Sequence, residues 1–483
     1  MKKRFVIVII CLLVVVTAVG LFLLLRPGMP VQHVIFISMD TTRADHFGCY
    51  GNTWIRTPAV DALAGESLLF SNYYTVTPVT LPSHTSLFTG KYPINHGVPA
   101  NGYMVNKKNR MLAEYLKAEG FDTIGFIGAF PLSKWFDFSQ GFDYYDERFE
   151  KHTRDENVSR HQRSAQQVTD EVIAYFDQKD IPDHLFLFVH YFDPHNPYEP
   201  PLKYKKMYKH DYREYNEVIE GRGPLAKSNG ETGNNSETGN NQDTGITAQQ
   251  KKKARYYAGE ISYMDHHIGR LLEYLRARKI LDRSVLVLTS DHGENLFWDR
   301  NPFSHGWDTN QGVIKAVCII RTPAAVSKPR KVEQLVSNID VLPTLLRYLK
   351  LPVPGNLDGE AFDLEGGQEG LSAAERYVES SKPTKITNNS RWRNINNARC
   401  IISGEYKYIL TPYLKAEEFY DLFRDPFECR NLMDSRESDI MAKIKAMKGK
   451  LHKWIFSARP MKSKFQDNQK KETIERLRSL GYL

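Results

Sequence analysis

Residues 33–38 read His-Val-Ile-Phe-Ile-Ser and run directly into Met39 and Asp40. A β-branched and aromatic run of this kind, without polar alternation, predicts a strand buried on both faces that delivers a carboxylate at its carboxyl end. The pattern recurs over residues 123–128, 185–190 and 284–290, with amphipathic helical spacing between them over 111–119 and 257–275. Strands alternating with helices predict an α/β fold with a mostly parallel central sheet and helices on both faces. Ligands of such sheets sit beyond the carboxyl ends of the strands. The polar residues gathered at those ends are therefore the candidates for chemistry.

The 483-residue chain is 41% hydrophobic and 12% aromatic with five Cys, which excludes a disordered or disulfide-stapled protein. That length allows two or three domains, or one large α/β domain with an appendage. Its 65 Lys and Arg against 57 Asp and Glu give +8, but Lys2, Lys3, Arg4 and Arg26 flank one apolar segment, and without them the balance is 61 to 57. No basic stripe remains for nucleic acid, and Lys251 to Lys253 read as a solvated helix start. The apolar segment, residues 5–25, carries no charge over 21 residues and follows Lys-Lys-Arg. Such a segment predicts one transmembrane helix, with residues 1–4 in the cytoplasm and the globular part extracytoplasmic, periplasmic or extracellular. A cleaved signal peptide is disfavoured because Leu-Phe-Leu-Leu-Leu follows the small residues at 17–20. A lipid-modified Cys11 is disfavoured by the bulky Ile10 before it.

These signals divide the chain into a signal anchor (1–26), a main α/β domain (27–365) and a small C-terminal α+β subdomain (366–483). Within the second, residues 229–245 form a polar six-residue repeat with nothing to bury, expected to be a disordered insertion. In the third, residues 376–379, 399–403 and 406–410 look like short strands before a helix over 440–456. Cys400 and Cys429 could pair in an oxidising compartment, though buried thiols fit them equally well.

Four segments place polar residues where the fold argument wants them: Asp40-Thr41-Thr42-Arg43, Thr80-Leu81-Pro82-Ser83-His84, Asp193-Pro194-His195, and Ser290-Asp291-His292-Gly293-Glu294, followed by His305-Gly306. Two carboxylates and an imidazole from separate strand ends can converge on one divalent cation. Oxygen and nitrogen donors together favour zinc or manganese, with calcium possible.

The order of these segments resembles the sulfatase family of the alkaline phosphatase superfamily. Phe47-Gly48-Cys49-Tyr50-Gly51, Thr89-Gly90-Lys91-Tyr92-Pro93 and the late Tyr420-Asp421-Leu422 with Asp425-Pro426-Phe427-Glu428 extend the match from about residue 32 to the C-terminus. The resemblance implies an alkaline-phosphatase-like α/β sandwich and a metal-bound nucleophile that attacks a sulfate or phosphate ester. The departures are informative. Sulfatases carry Cys or Ser, oxidised to formylglycine, at the position of Thr80, and Arg at that of His84. They usually have a second metal-binding Asp where Thr41 stands, often Asn where His292 stands, and a Lys-Trp-His segment that is missing near residues 125–130. A Thr with an Asp-His pair instead resembles the phosphoethanolamine transferases and phosphodiesterases of the superfamily, and no formylglycine is expected.

A cation held by Asp40, Asp291 and His292 would lower the pKa of the Thr80 hydroxyl, making Thr80 ligand and nucleophile at once. His195 or His305 could protonate the leaving oxygen, and His84 could help hold the anionic ester oxygens. Against these roles stand a Thr80 hydroxyl that merely caps a helix starting after Pro82, and packed histidines, the expectation for His190. The reading reached is a membrane-anchored, metal-dependent hydrolase of an anionic ester, phosphate favoured over sulfate. Its alternatives are a phosphoryl head-group transferase, a conventional sulfatase and a catalytically silent glycan-binding relative.

Overall fold

The apolar run before Asp40 forms β1 (His33–Met39), all seven residues of which are buried. The computed structural model describes residues 31–149, 162–208, 247–296, 303–365, 375–381, 397–457, 461–465 and 470–479. Parallel neighbours flank β1 on both sides, β6 (Leu185–Tyr191) and β7 (Ser284–Ser290), in a register that sets Ser38 between His190 and Thr289. Outward from these lie β4 (Asp122–Phe126) and β5 (Tyr144–Asp146) on one side, and β8 (Cys318–Arg321), β2 (Leu68–Phe70) and β9 (Arg330–Val332) on the other, in the order β5-β4-β6-β1-β7-β8-β2-β9. Only β8 runs antiparallel to its neighbours. The expected mostly parallel α/β sheet is thus present.

Both faces of the sheet are covered, which is why its central strands show no polar alternation. Val34 and Phe36 pack with Phe88 and Phe188 on one face, whereas Ile35, Ile37 and Met39 meet apolar residues of the helices Ala165–Asp177 and Ala248–Ala277 on the other. The long helix starts well before its first apolar repeat, because Thr247 accepts a hydrogen bond from the Gln250 N–H and Gln250 reciprocates. Lys251 to Lys253 therefore lie inside its first turns. The strand expected over 123–128 stops at Phe126. Just beyond it, the Gly128 N–H turns to His190 Nδ1 at 3.3 Å, and a Cβ there would lie 2.9 Å from the His190 carbonyl oxygen.

A second sheet follows, with β11 (Glu375–Glu379), β12 (Arg399–Ser403), β13 (Tyr406–Thr411) and β14 (Ala416–Asp421) antiparallel in that order. One face packs on the helix Ser438–Ser457. The other meets Tyr74, Val313 and Ile314 of the first unit, near the short parallel pair β3 (Tyr73–Tyr74) and β10 (Val336–Ser337). Here Lys407, fully buried, donates to Glu428 and to the Thr309 carbonyl, and Glu428 accepts the Gln311 N–H at 2.8 Å. Cys49, Cys318, Cys400 and Cys429 are free thiols. The expected membrane segment and the repeat over 229–245 lie outside the described residues. Among the described residues, no helix is long and apolar enough to cross a membrane.

Removing one partner of a buried ion pair strands the other charge, at a cost of about 3–5 kcal/mol. Lys407→Met should lower unfolding stability by that order, and Lys407→Met with Glu428→Leu should recover most of it. Urea titration of the two variants checks this, and equal losses would show that the pair does not act as a unit.

Candidate active site

Because β1 and β7 are adjacent and in register, their ends bring Asp40, Asp291 and His292 together. One ligand atom from each lies within 4.8 Å of the others, and all three residues are buried. Each side chain is oriented by local bonds. Asp291 Oδ1 accepts the N–H groups of Thr41 at 3.0 Å and His292 at 2.7 Å, whereas its buried Oδ2 has no hydrogen-bond partner. Asp40 Oδ1 accepts from the Thr41 hydroxyl at 2.6 Å, and its Oδ2 faces His190 Nε2 at 3.3 Å. His292 Nδ1 donates to the Gly293 carbonyl at 3.0 Å, which turns the Nε2 lone pair inward, 3.4 Å from Asp291 Oδ2.

The electrostatics match this geometry. Burial and the charge of Asp40 push the Asp291 carboxyl well above its ordinary range. Burial would raise Asp40 too, but its bond to His190 and the fields of His195, His190 and His292 outweigh it and hold the carboxyl low. Burial, helped by His305, lowers His292 to about 3, so its imidazole is neutral. Two crowded buried carboxylates beside an inward lone pair form a donor set that a divalent cation would relieve. Between the two strand ends, Thr41 adopts φ 52°, unusual for a β-branched residue. The Tyr257 hydroxyl bonds its carbonyl oxygen at 2.8 Å and helps hold that conformation.

Thr80 opens the helix Thr80–Thr89, whose N-cap is Val79. The helix begins two residues before Pro82, which sits in a first turn where a missing N–H costs little. The Thr80 hydroxyl therefore does not cap a helix starting after Pro82. It lies 3.5 Å from His292 Nε2, and the Asn101 side chain takes the Leu81 N–H at 2.9 Å. Ser83 Oγ donates to the Asp291 carbonyl at 2.7 Å and ties this helix to the end of β7. His84, one turn on, bonds the Thr80 carbonyl through Nδ1 and Ser38 Oγ through Nε2, each at 2.8 Å. Its ring is fully buried and directed at the protein, and burial with the neighbouring His190 lowers it to about 3.

His190, expected to be a packed histidine, is packed but also faces Asp40. Its Nδ1 takes the Gly128 N–H, so the proton sits on Nε2 toward the carboxylate. The signal available beforehand was an imidazole at the end of an apolar strand; its pairing with Ser38, two residues before Asp40, comes only with the fold. His195 stacks on Phe192 at 4.4 Å between ring centres and lies 5.1 Å from His305, which in turn is 4.5 Å from His292. Burial lowers His195 to about 4, against the pull of Asp40. His305 behaves oppositely: burial would lower it, but Glu294, 3.5 Å from its Nδ1, raises it above its ordinary value. Glu294 also accepts from the Tyr198 hydroxyl at 2.8 Å. Glu294 closes the Ser290–Glu294 motif, and the motif alone does not show its contact with His305.

Two outcomes follow from this geometry. Asp40→Asn, Asp291→Asn and His292→Ala should each reduce zinc affinity by roughly tenfold or more while far-ultraviolet circular dichroism stays native. Stoichiometric zinc in the purified variants would remove the ligand assignment. In metal-free protein, His305 should keep its proton to higher pH than a free imidazole, and Glu294→Gln should move that titration to lower pH. Histidine proton resonances followed across pH 5–9 read the shift, and a midpoint unmoved by the substitution would refute the pairing.

The sulfatase family model matches residues 32–351, and that of the N-sulphoglucosamine sulphohydrolase C-terminal region matches residues 309–455. An arylsulfatase of Clostridium perfringens is 26% identical over 462 residues, covering 84% of this chain and 91% of its own. The phosphonate monoester hydrolase of Agrobacterium radiobacter superposes with a TM-score of 0.68 at 22% identity, over 90% of this chain and 97% of its own. A protein solved with its substrate D-glucosamine-2-N,6-O-disulfate superposes at 0.70 and 18% identity, over 89% and 99%. With two thirds of the chain inside the family's own domain, the chain belongs to the sulfatase family and is an ester hydrolase of the alkaline phosphatase superfamily.

Proposed function

We propose that the chain hydrolyses an anionic ester through Thr80, with phosphate esters turned over faster than sulfate esters. The observation that carries this reading is the Thr80 hydroxyl, 3.5 Å from His292 Nε2 and so beside the Asp40, Asp291 and His292 donor set. A divalent cation bound by those side chains would acidify the hydroxyl and polarise the ester. Thr80 Oγ, its proton passed to solvent water before the ester binds, forms a bond to phosphorus as the bond to the leaving oxygen breaks. His305, whose hold on a proton Glu294 strengthens, gives its proton to that leaving oxygen. Water then attacks phosphorus, the neutral His305 takes its proton, and Thr80 Oγ departs with the bonding pair. His84 acts by fixing the first turn of the nucleophile's helix, and His195 lines the same approach.

The preference for phosphate comes from covalent chemistry. The β-carbon of Thr80 already bears a methyl group, so oxidation would give a ketone and not the aldehyde that sulfatases use. A formylglycine hydrate can expel sulfate with its second hydroxyl, whereas a Thr-bound intermediate must be attacked at its tetrahedral centre. The names of an arylsulfatase among the relatives and a phosphonate monoester hydrolase among the fold neighbours bracket the two ester classes. The uncharged residues 5–25 after Lys-Lys-Arg support a membrane anchor with the catalytic domain outside the cytoplasm.

Nitrophenyl phosphate, phosphodiester and sulfate, offered to the zinc- and manganese-loaded protein, test the proposal. Phosphate turnover should exceed sulfate turnover, acid quench should trap a phosphoryl group on Thr80, and Thr80→Ala should lose roughly 10³-fold or more while Thr80→Ser keeps part of the rate. Repeated sulfate turnover on an unmodified Thr80 would overturn the preference, and full activity in Thr80→Ala would overturn the nucleophile. Transfer to an added acceptor alcohol in place of water would identify a transferase.

A further inference from the structure

His195 also lines a cavity of about 170 Å³, together with Gln162, Phe192, Asp193, Glu199 and Glu260. Three of its oxygens are buried with no hydrogen-bond partner: Asp193 Oδ2, Glu260 Oε2 and Gln162 Oε1. Glu260, on the long helix Ala248–Ala277, is 5% exposed, and its other oxygen accepts the Glu199 N–H at 2.5 Å. Arg163 borders the same space, but its guanidinium is already bonded to the Asp146 carboxylate and to the carbonyls of Ile127 and Asp146. Among the described residues the lining thus concentrates acceptor oxygens, and the one cation felt by Glu260, Lys205, does not offset its burial. Burial pushes Asp193 up to about 7, and burial with the charge of Asp193 pushes Glu260 well above its ordinary value. Isolated buried carboxylates of this kind are costly, and a cationic partner relieves them.

We propose that this cavity is a subsite for an ammonium group carried by the ester that reacts at Thr80, with His195 as the wall shared by cavity and reaction centre. It rests on the hydrolase reading and adds the substrate class to it: an ester whose organic part bears a primary amine. A bare metal ion fits less well, because among the described residues Asp40, Asp291 and His292 are the group of three metal-ligand side chains that converges. Charge-assisted hydrogen bonds from an ammonium to Glu260 and Asp193 need no such convergence.

Calorimetry on zinc-loaded protein with 2-aminoethylphosphonate and 4-aminobutylphosphonate, against propyl- and pentylphosphonate, tests the subsite without depending on turnover. At least one amine should bind about tenfold tighter than its neutral counterpart, and Glu260→Gln should bring that ratio close to one. Asp193→Asn should reduce the ratio as well, so the outcome does not hang on one variant. Equal affinities within both pairs, no binding of any amine, or a preference that survives both substitutions overturns the subsite. Nitrophenyl phosphate turnover is followed in parallel. Its absence alongside an intact amine preference would count against the hydrolase and not against the subsite.

Discussion

The parallel register of β1 with β6 and β7 is the constraint on which the site depends. Pairing Ser38 with His190 and Thr289 brings three strand ends level, so Asp40 emerges beside His190 on one flank and beside Asp291 and His292 on the other. A slip of one residue in either ladder would turn the side chains of a strand buried on both sides to the wrong face. The hydrophobic interior that fixes the register therefore also fixes the distances among the polar groups. Stability and site geometry are here the same interaction seen from two directions.

Much of this was legible in advance because long, doubly buried strands announce themselves. The runs that became β1, β6 and β7 were readable almost to the residue, and with them the convergence of Asp40, Asp291 and His292. Short strands at the sheet margin, such as β2 and β5, carry three residues each and leave no periodic signal. β14 was equally hidden, since Ala-Glu-Glu-Phe-Tyr-Asp has little β-branched character and owes its place to pairing with β13. In the site, the pattern suggested that His84 faces an ester, but the helix starts early enough to turn its ring onto Ser38 and the Thr80 carbonyl. The roles of His190 and Glu294 depend on a cross-strand neighbour and a loop contact, and spacing along the chain encodes neither.

The electrostatic design separates two kinds of histidine. His84, His195 and His292 are driven neutral by burial, whereas Glu294 raises His305 above its ordinary value. Neutral rings can offer lone pairs or accept protons, and a protonated ring can give one up. The fold thus supplies both functions from one residue type by varying what lies within a few ångströms. Thr41 contributes differently: its left-handed backbone directs its N–H to one carboxylate and its hydroxyl to the other, so a strained residue joins the two acidic side chains.

The helix Thr80–Thr89 has every residue buried. On the proposed role of Thr80, its oxygen cannot search for a target, because the helix is wedged between the sheet and its neighbours. The incoming ester would then do the aligning, and molecules would be sorted by whether they can present the reacting atom along the one line that oxygen faces. Selectivity of this kind is a matter of trajectory, and it would discriminate between esters of equal charge and similar size that differ only in the angle at which their bridging bond can be offered.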